Sequence, residues 1–457
     1  MYGGESNVLG NVDVILLRYE CLEKYLGWHC CKKLLIEWVS KMKKFRIKKL
    51  CVLLITVIFL GTLNFNALAV SKTDNGSAAS DNRMTQSVKY ISESDARLLA
   101  EQCITEEKSL DEHCPWNNTT TCYETVQLYD YGSYVNSYLF RLMTNGVKKG
   151  YILVNANSRN PSVDAFGYDC DAMVDSMSLY YYGHRITNDE HIIYDSGLTF
   201  LKPNNASSVI NMATNSVVNI DKKNTYQKYV DILKNNVNSK TVQNFSKLKG
   251  RMLQPSSKTA IMSESQTIYS DVVVPNLYAN GRDGIGYHAY TTQNFEGKGN
   301  CAYTATVNFI EYWSQFSNIN SSTQYDLWPA WYSAADVFQK LRYCINGSID
   351  TGVYDRDAFN GLIAYGKLMG HPVAGDDIKE GLWATSWSWI TQNIHNGNPL
   401  IFSVNLDSKY KDHDMLAVGY QECDNGDYLR ICDGWNSTTS NFYKYSGMIT
   451  GMWYVRW

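Results

Sequence analysis

Cys301, His413 and Asp433 have the residue types, in the order, that nucleophilic catalysis by a thiol requires. The reactive species is the thiolate. A cysteine ionises more readily at a helix N-terminus, where unpaired N–H groups and the positive end of the helix dipole lie beside the sulfur. Cys301 has that setting: Gly297, Gly299 and Asn300 make a loop leading into it, and Ala302, Ala305, Phe309, Trp313 and Phe316 then recur at helical spacing. The first N–H of such a helix can also donate to a developing oxyanion. Cys432, inside a predicted strand, Cys344, at a helix end, and Cys423, beside a turn, read instead as small buried hydrophobes or disulfide halves.

A general base is needed next, and three histidines follow Cys301. His371 lies in a Gly-His-Pro turn, and His395 lies in the last turn of a helix, where a cation offsets the dipole. His413 instead begins the strand His413 to Tyr420, which would hold its ring rigidly at a sheet end. Asp433 ends the strand that a hairpin at Asn425-Gly426 would lay alongside, bringing a carboxylate to fix the imidazole tautomer.

The elements that must position these groups can be read from periodicity. Ser92, with Asp95 three residues on, opens a helix whose Ala96, Leu99, Ala100 and Cys103 share a face. Strand alternation runs from Tyr123 to Phe166, with a turn at Asn145-Gly146, so the first half is an α+β unit. In the second half a strand at Val272 to Val274 precedes helices from Cys301, from Ser333, from about Asp357 to Gly370 and from Trp387 to His395. Strands at Leu400–Leu406, Met415–Tyr420, Tyr428–Cys432 and Met452–Val455 follow. Between the halves, Asn238 to Thr267 is polar with scattered apolar residues, and reads as an exposed, protease-accessible linker.

Taken together, Gly299-Asn300-Cys301-Ala302-Tyr303-Thr304-Ala305-Thr306, Gly397-Asn398-Pro399 running into Leu400 to Val404, the His413 strand with Val418-Gly419-Tyr420, and Asp433-Gly434-Trp435-Asn436 resemble papain-like cysteine peptidases. The likeness is to the secreted bacterial branches: streptopain, staphopain and the peptidases that process bacteriocin leaders. It spans about Ile268 to Trp457, and Lys149 to Ala156 with Val163 to Tyr168 resemble the inhibitory pro-segment of streptopain-type zymogens. The resemblance implies a papain-like domain of N-terminal helices packed on an antiparallel sheet, after a smaller α+β pro-domain. It implies Cys301 as nucleophile, His413 as base and Asp433 as orienter. Gln293 is the nearest counterpart of the family's oxyanion-hole glutamine, but stands eight residues before the cysteine rather than six, the sixth position being Phe295. Asn300 is a local alternative donor or a plain loop-to-helix cap. Asn436 could orient the base, as Asn does in papain, and Trp435 either shields the His-Asp pair or is an ordinary core tryptophan.

Composition bounds the whole. In 457 residues, 42 Lys and Arg against 45 Asp and Glu give a net charge of -3, so a nucleic-acid protein working through a basic surface is excluded. With 44% hydrophobic residues the chain can bury a core, which excludes wholesale disorder. Met42 to Lys49 is basic, Leu50 to Leu60 is apolar but shorter than a bilayer span, and Ala67-Leu68-Ala69 is a cleavage motif, together a secretory signal over 42–69. Met42 is the expected initiator, residues 1–41 being an extension outside it. A linker (70–86), the pro-domain (87–237), the activation linker (238–267) and the peptidase domain (268–457) follow. The expected protein is secreted or surface-located and touches membrane only during export. It acts on a peptide or protein substrate, is held by its own pro-domain as intramolecular inhibitor, and uses no metal, no cofactor and no nucleic acid. No Cys/His spacing suits zinc, and the pairing of the eight cysteines after residue 69 is open. The same triad order also serves transpeptidases, transglutaminase-like enzymes and cell-wall amidases, and a silent surface binding module is the non-enzyme alternative.

Overall fold

A computed structural model describes residues 89–457 apart from 196, 222–238, 253–269, 351, 382–384, 405–412, 424–425 and 446–448. The expected extension (1–41), signal peptide (42–69) and first linker (70–86) lie outside the described residues, as does Asn425 of the hairpin turn.

Helix α1 (Glu93–Leu110) starts where the Ser92 hydroxyl accepts the Asp95 N–H at 3.2 Å, and it buries Ala96, Leu99, Ala100 and Cys103. Strands β1 (Thr121–Tyr129), β2 (Val135–Thr144), β3 (Val147–Asn155) and β4 (Ser162–Gly167) form a meander. Asn145 and Gly146, at φ 51° and 78°, make the left-handed pair that a tight β2–β3 turn needs. Helix α2 (Met173–Tyr182) and strands β5 (Ile193–Tyr194), β6 (Phe200–Asn205), β7 (Ser208–Asn211) and β8 (Ser216–Asn219) complete the first half.

Helix α3 (Ser239–Met252) occupies part of the stretch expected to be an exposed linker. The expectation failed on a sparse signal: Phe245 and Leu248 are the buried residues, one turn apart among Ser, Asn and Lys, and they join the core under α1 while Lys249 pairs with Asp95 at 2.8 Å. The remainder of that linker, 253–267, lies outside the described residues.

The second half runs through β9 (Ser270–Val273), α4 (Cys301–Glu311), α5 (Ser321–Leu327), α6 (Ala334–Cys344), α7 (Asp355–Leu368), β10 (Gly375–Glu380) and α8 (Trp387–His395). Five strands end it: β11 (Leu400–Val404), β12 (His413–Cys423), β13 (Gly426–Cys432), β14 (Asn441–Lys444) and β15 (Ile449–Arg456). Helix α4 is apolar on more than one face: Ala302 to Glu311 are all buried, the sheet lying on one side and α6 and α7 on others. The Thr306 hydroxyl donates to the Ala302 carbonyl at 2.6 Å, and the Asn308 side chain brackets Tyr290 through its carbonyl oxygen and its N–H, while Glu311 Oε2 is buried without a hydrogen-bond partner.

One sheet runs through both halves in the order β10-β15-β11-β12-β13-β14-β4-β3-β2-β1-β5-β6-β7-β8, with β9 beside β12. It is antiparallel except where β5 meets β1. The halves join at β14 and β4, where Phe442 stands opposite Phe166 and their rings stack with centroids 4.5 Å apart. Buried Arg430 of β13 reaches Asp111 at the end of α1 at 2.6 Å, and the Tyr428 hydroxyl donates to the Val163 carbonyl at 3.2 Å. The described residues from 89 onward accordingly form one compact unit. The hydrophobic core beneath α1 draws on Cys423, Tyr428 and Phe442 from the other half.

Candidate active site

The loop before Cys301 is stitched shut from inside. The buried Asn300 amide donates to the carbonyls of Thr292 (3.0 Å), Glu296 (3.1 Å) and Phe295 (3.4 Å), and makes no side-chain cap on α4. Gly297 has φ 94°, and an added Cβ would stand 2.5 Å from the Ile349 carbonyl oxygen, so the loop needs a glycine there. Asn300 is the N-cap residue of α4, and its side chain clamps the loop that delivers Cys301 as the first residue of that helix. The first-turn N–H groups of a helix have no intrahelical acceptor, which places the positive helix end beside this half-buried thiol.

His413 starts β12, opposite Val404 of β11. Its Nε2 lies 2.8 Å from the main-chain carbonyl oxygen of Asp433. A carbonyl only accepts, so Nε2 carries the proton and Nδ1 is left as the basic nitrogen. Burial pushes His413 down to about 4, partly offset by that carbonyl, and the ring is neutral at neutral pH.

Asp433 does lie beside the histidine, because β12 and β13 pair with Leu416 opposite Cys432. Its carboxylate, however, is turned away from the ring. It accepts from the Trp435 and Asn436 N–H groups, both at 2.8 Å, from the Asn436 amide at 2.7 Å and from the Asn441 amide at 3.0 Å. Four donors fill its two oxygens and tie the Asp433-Gly434-Trp435-Asn436 turn, so Asp433 meets His413 through the backbone. Burial raises the Asp433 carboxyl above its ordinary value against these donors. Asn436 also accepts from the Ser176 hydroxyl at 2.9 Å and is thereby engaged away from the base.

Gln293 is exposed and does not line the pocket that holds Cys301 and His413. The short 3-10 turn Thr292–Asn294, tied by the Asn294 side chain to the Thr291 N–H at 2.7 Å, presents Thr292 to the pocket instead. The Thr292 hydroxyl is buried without a hydrogen-bond partner, while its N–H donates to the Gly434 carbonyl at 2.8 Å. No sequence signal pointed to Thr292, because its direction is set by the turn rather than by its distance from Cys301. Trp435 lines the pocket, with its indole N–H also buried and unpartnered.

The facing wall comes from the first half of the chain: Leu198, Thr199, Phe200, Asn211, Ala213 and Thr214.

A thiol at a helix N-terminus and a buried imidazole with a basic nitrogen, on one pocket wall, are the equipment of cysteine-dependent acyl transfer. Residues 286–455 match the model of the Peptidase_C39 like family, a match that takes in Cys301, His413 and Asp433 and supports a papain-like cysteine peptidase family for this region. No curated protein matches the chain.

Proposed function

We propose that the chain is a cysteine peptidase exported as a latent precursor, with Cys301 as nucleophile and His413 as base. The observation that carries this is the shared pocket of Cys301 and His413, walled on its far side by Leu198, Phe200 and Ala213 of the first half. The Cys301 thiol gives its proton to His413 Nδ1 as its sulfur attacks the peptide carbonyl. That proton then goes to the leaving amine, and water releases the acyl group. The main-chain N–H of Cys301 and the unpartnered Thr292 hydroxyl would receive the developing oxyanion.

Latency follows from the same cover. A buried neutral imidazole cannot stabilise a thiolate as an ion pair, so the covered site is held in its unreactive form. The export signal over 42–69 and the later cut between the halves belong to the same proposal. Cleavage within α3 would require unwinding a helix anchored by Phe245 and Leu248, which favours the part of the expected linker beyond Met252.

Turnover of a fluorogenic peptide by residues 70–457 after cleavage beyond Met252 and release of the first half tests the proposal. Cys301→Ala should abolish it with the fold intact, since truncating a half-buried side chain at a helix start leaves little cavity. Cys432→Ala should retain it. Normal turnover by Cys301→Ala would refute the assignment.

A further inference from the structure

Cys103 on α1 and Cys423 at the end of β12 come from opposite halves of the chain, and both are buried in the core beneath α1. Successive steps of helix against strand lead from one to the other. Asp111, which caps α1, reaches Arg430 at 2.6 Å, and Arg430 stands opposite Gly419 of β12. One helical turn earlier, Glu107 Oε2 accepts from the Gln421 amide at 3.4 Å. One turn earlier again is Cys103, and two residues further along β12 is Cys423.

Four helical residues advance about 6 Å and two strand residues about 6.7 Å, so the two elements keep pace. Residues 103, 107 and 111 share a helix face, and 419, 421 and 423 share a strand face. The register set by the first two contacts therefore carries the Cys103 side chain to Cys423. Burial pushes the Cys103 thiol well above its ordinary value, and of the neighbouring sulfurs Cys423 adds more to that rise than Cys114 does. Cys103 and Cys423 also both act on the buried Tyr428 hydroxyl. Both are free thiols in this structure.

We infer that Cys103 and Cys423 form a disulfide in the exported protein, a covalent tie between the two halves that outlasts a cut beyond Met252. The oxidant is a small disulfide of the oxidised-glutathione class. One cysteine thiolate attacks it and expels a small thiolate, and the second attacks the resulting mixed disulfide and expels the other. The two cysteines lose two protons and two electrons, and the small disulfide is reduced to two thiols. Burial raises both thiols, so they exchange slowly once α1 is in place. The bond therefore forms while the chain folds, and the same burial then screens it from reductants. A cut chain keeps its first half until the bond is reduced, when dissociation can proceed. The inference draws on the export proposed above, which supplies the oxidising setting, and on no role of Cys301.

To test this, residues 70–457 are refolded in a mixture of reduced and oxidised glutathione, remaining thiols are capped with N-ethylmaleimide in denaturant, and the chain is digested with trypsin without reduction. Cys103 falls in tryptic peptide 98–108 and Cys423 in 412–430, each holding one cysteine. The inference predicts that mass spectrometry finds these two peptides joined, with loss of the maleimide adduct from both, and finds them separate and capped when a reductant precedes the cap. Cys423→Ser should leave Cys103 capped, whereas Cys114→Ser should leave the joined peptide in place. Both cysteines capped in the unaltered chain, or either joined to a different cysteine such as Cys114, overturns the inference. Failure of the export reading shows separately, as chain retained inside the cells that make it.

Discussion

At the residue scale, the placement of Cys301 and His413 was readable because each has a local cause. Gly297, Gly299 and Asn300 end a loop, Cys301 begins a helix, and His413 begins a strand. The partners of these residues were not readable, because they depend on which atom of a turn faces inward. Asp433 reaches His413 by its carbonyl, at 2.8 Å, and its carboxylate is spent on the turn. Asp433→Asn keeps one oxygen for the Trp435 and Asn436 N–H groups but sets an NH2 against the Asn436 and Asn441 amides, so turnover should fall by less than the about 10⁴ that loss of a carboxylate orienter costs, and Asp433→Ala, which unties the turn, should cost more. Equal, large losses in both would return the orienting role to the carboxylate. Thr292 and Gln293 separate in the same way. Thr292→Val should reduce kcat by about a hundredfold with KM little changed, while Gln293→Ala should stay within about twofold of the unaltered chain. The reverse ranking would place Gln293 at the oxyanion.

At the element scale, capped helices and hairpins were legible and cross-chain pairing was not. The Ser333-Asp336 capping box and the Asn145-Gly146 turn carry their signals within four residues. By contrast, the β4–β14 pairing joins positions far apart in the chain and leaves no local period, so one continuous sheet read as two separate units. Helix α1 also reaches the second half, and Glu107 on it is a buried acid. Its Oε2 accepts from the Tyr168 hydroxyl and, at 3.4 Å, from the Gln421 amide of β12. Burial raises Glu107 to about 7, so the folded state holds this proton more tightly than the unfolded chain does. Stability from this group is present below the unfolded value and is lost as pH rises through about 7. Glu107→Gln should then raise Tm at pH 8, by a contribution of up to about 3 kcal/mol, and change it little at pH 5. The same Tm change at both pH values would contradict the buried-acid account.

At the scale of the whole molecule, the first half is part of the sheet and lines the pocket that holds Cys301 and His413, so the proposed latency would be tied to folding. His413 and Glu107 give the two roles opposite pH dependence. Opening of the wall over His413 admits water to a ring held near 4, so the covered state is fully supported above about 6.5 and loses that support as pH falls through about 4. Separation at α1 is instead favoured above about 7, as Glu107 ionises. The proposed cut between the halves would leave the β4–β14 pairing and the Arg430–Asp111 pair in place, so release would proceed by dissociation after cleavage. The central claim, a Cys301–His413 catalytic pair covered by the first half, is tested most directly by labelling with a peptide bearing a thiol-reactive electrophile. Residues 70–457 would be treated before and after cleavage beyond Met252, and the adduct mapped by mass spectrometry. The account predicts an adduct on Cys301, formed at least about tenfold faster after cleavage and release and strongly slowed by His413→Ala. An adduct on a different cysteine, or one on Cys301 formed equally fast in the uncut chain and in His413→Ala, would contradict it.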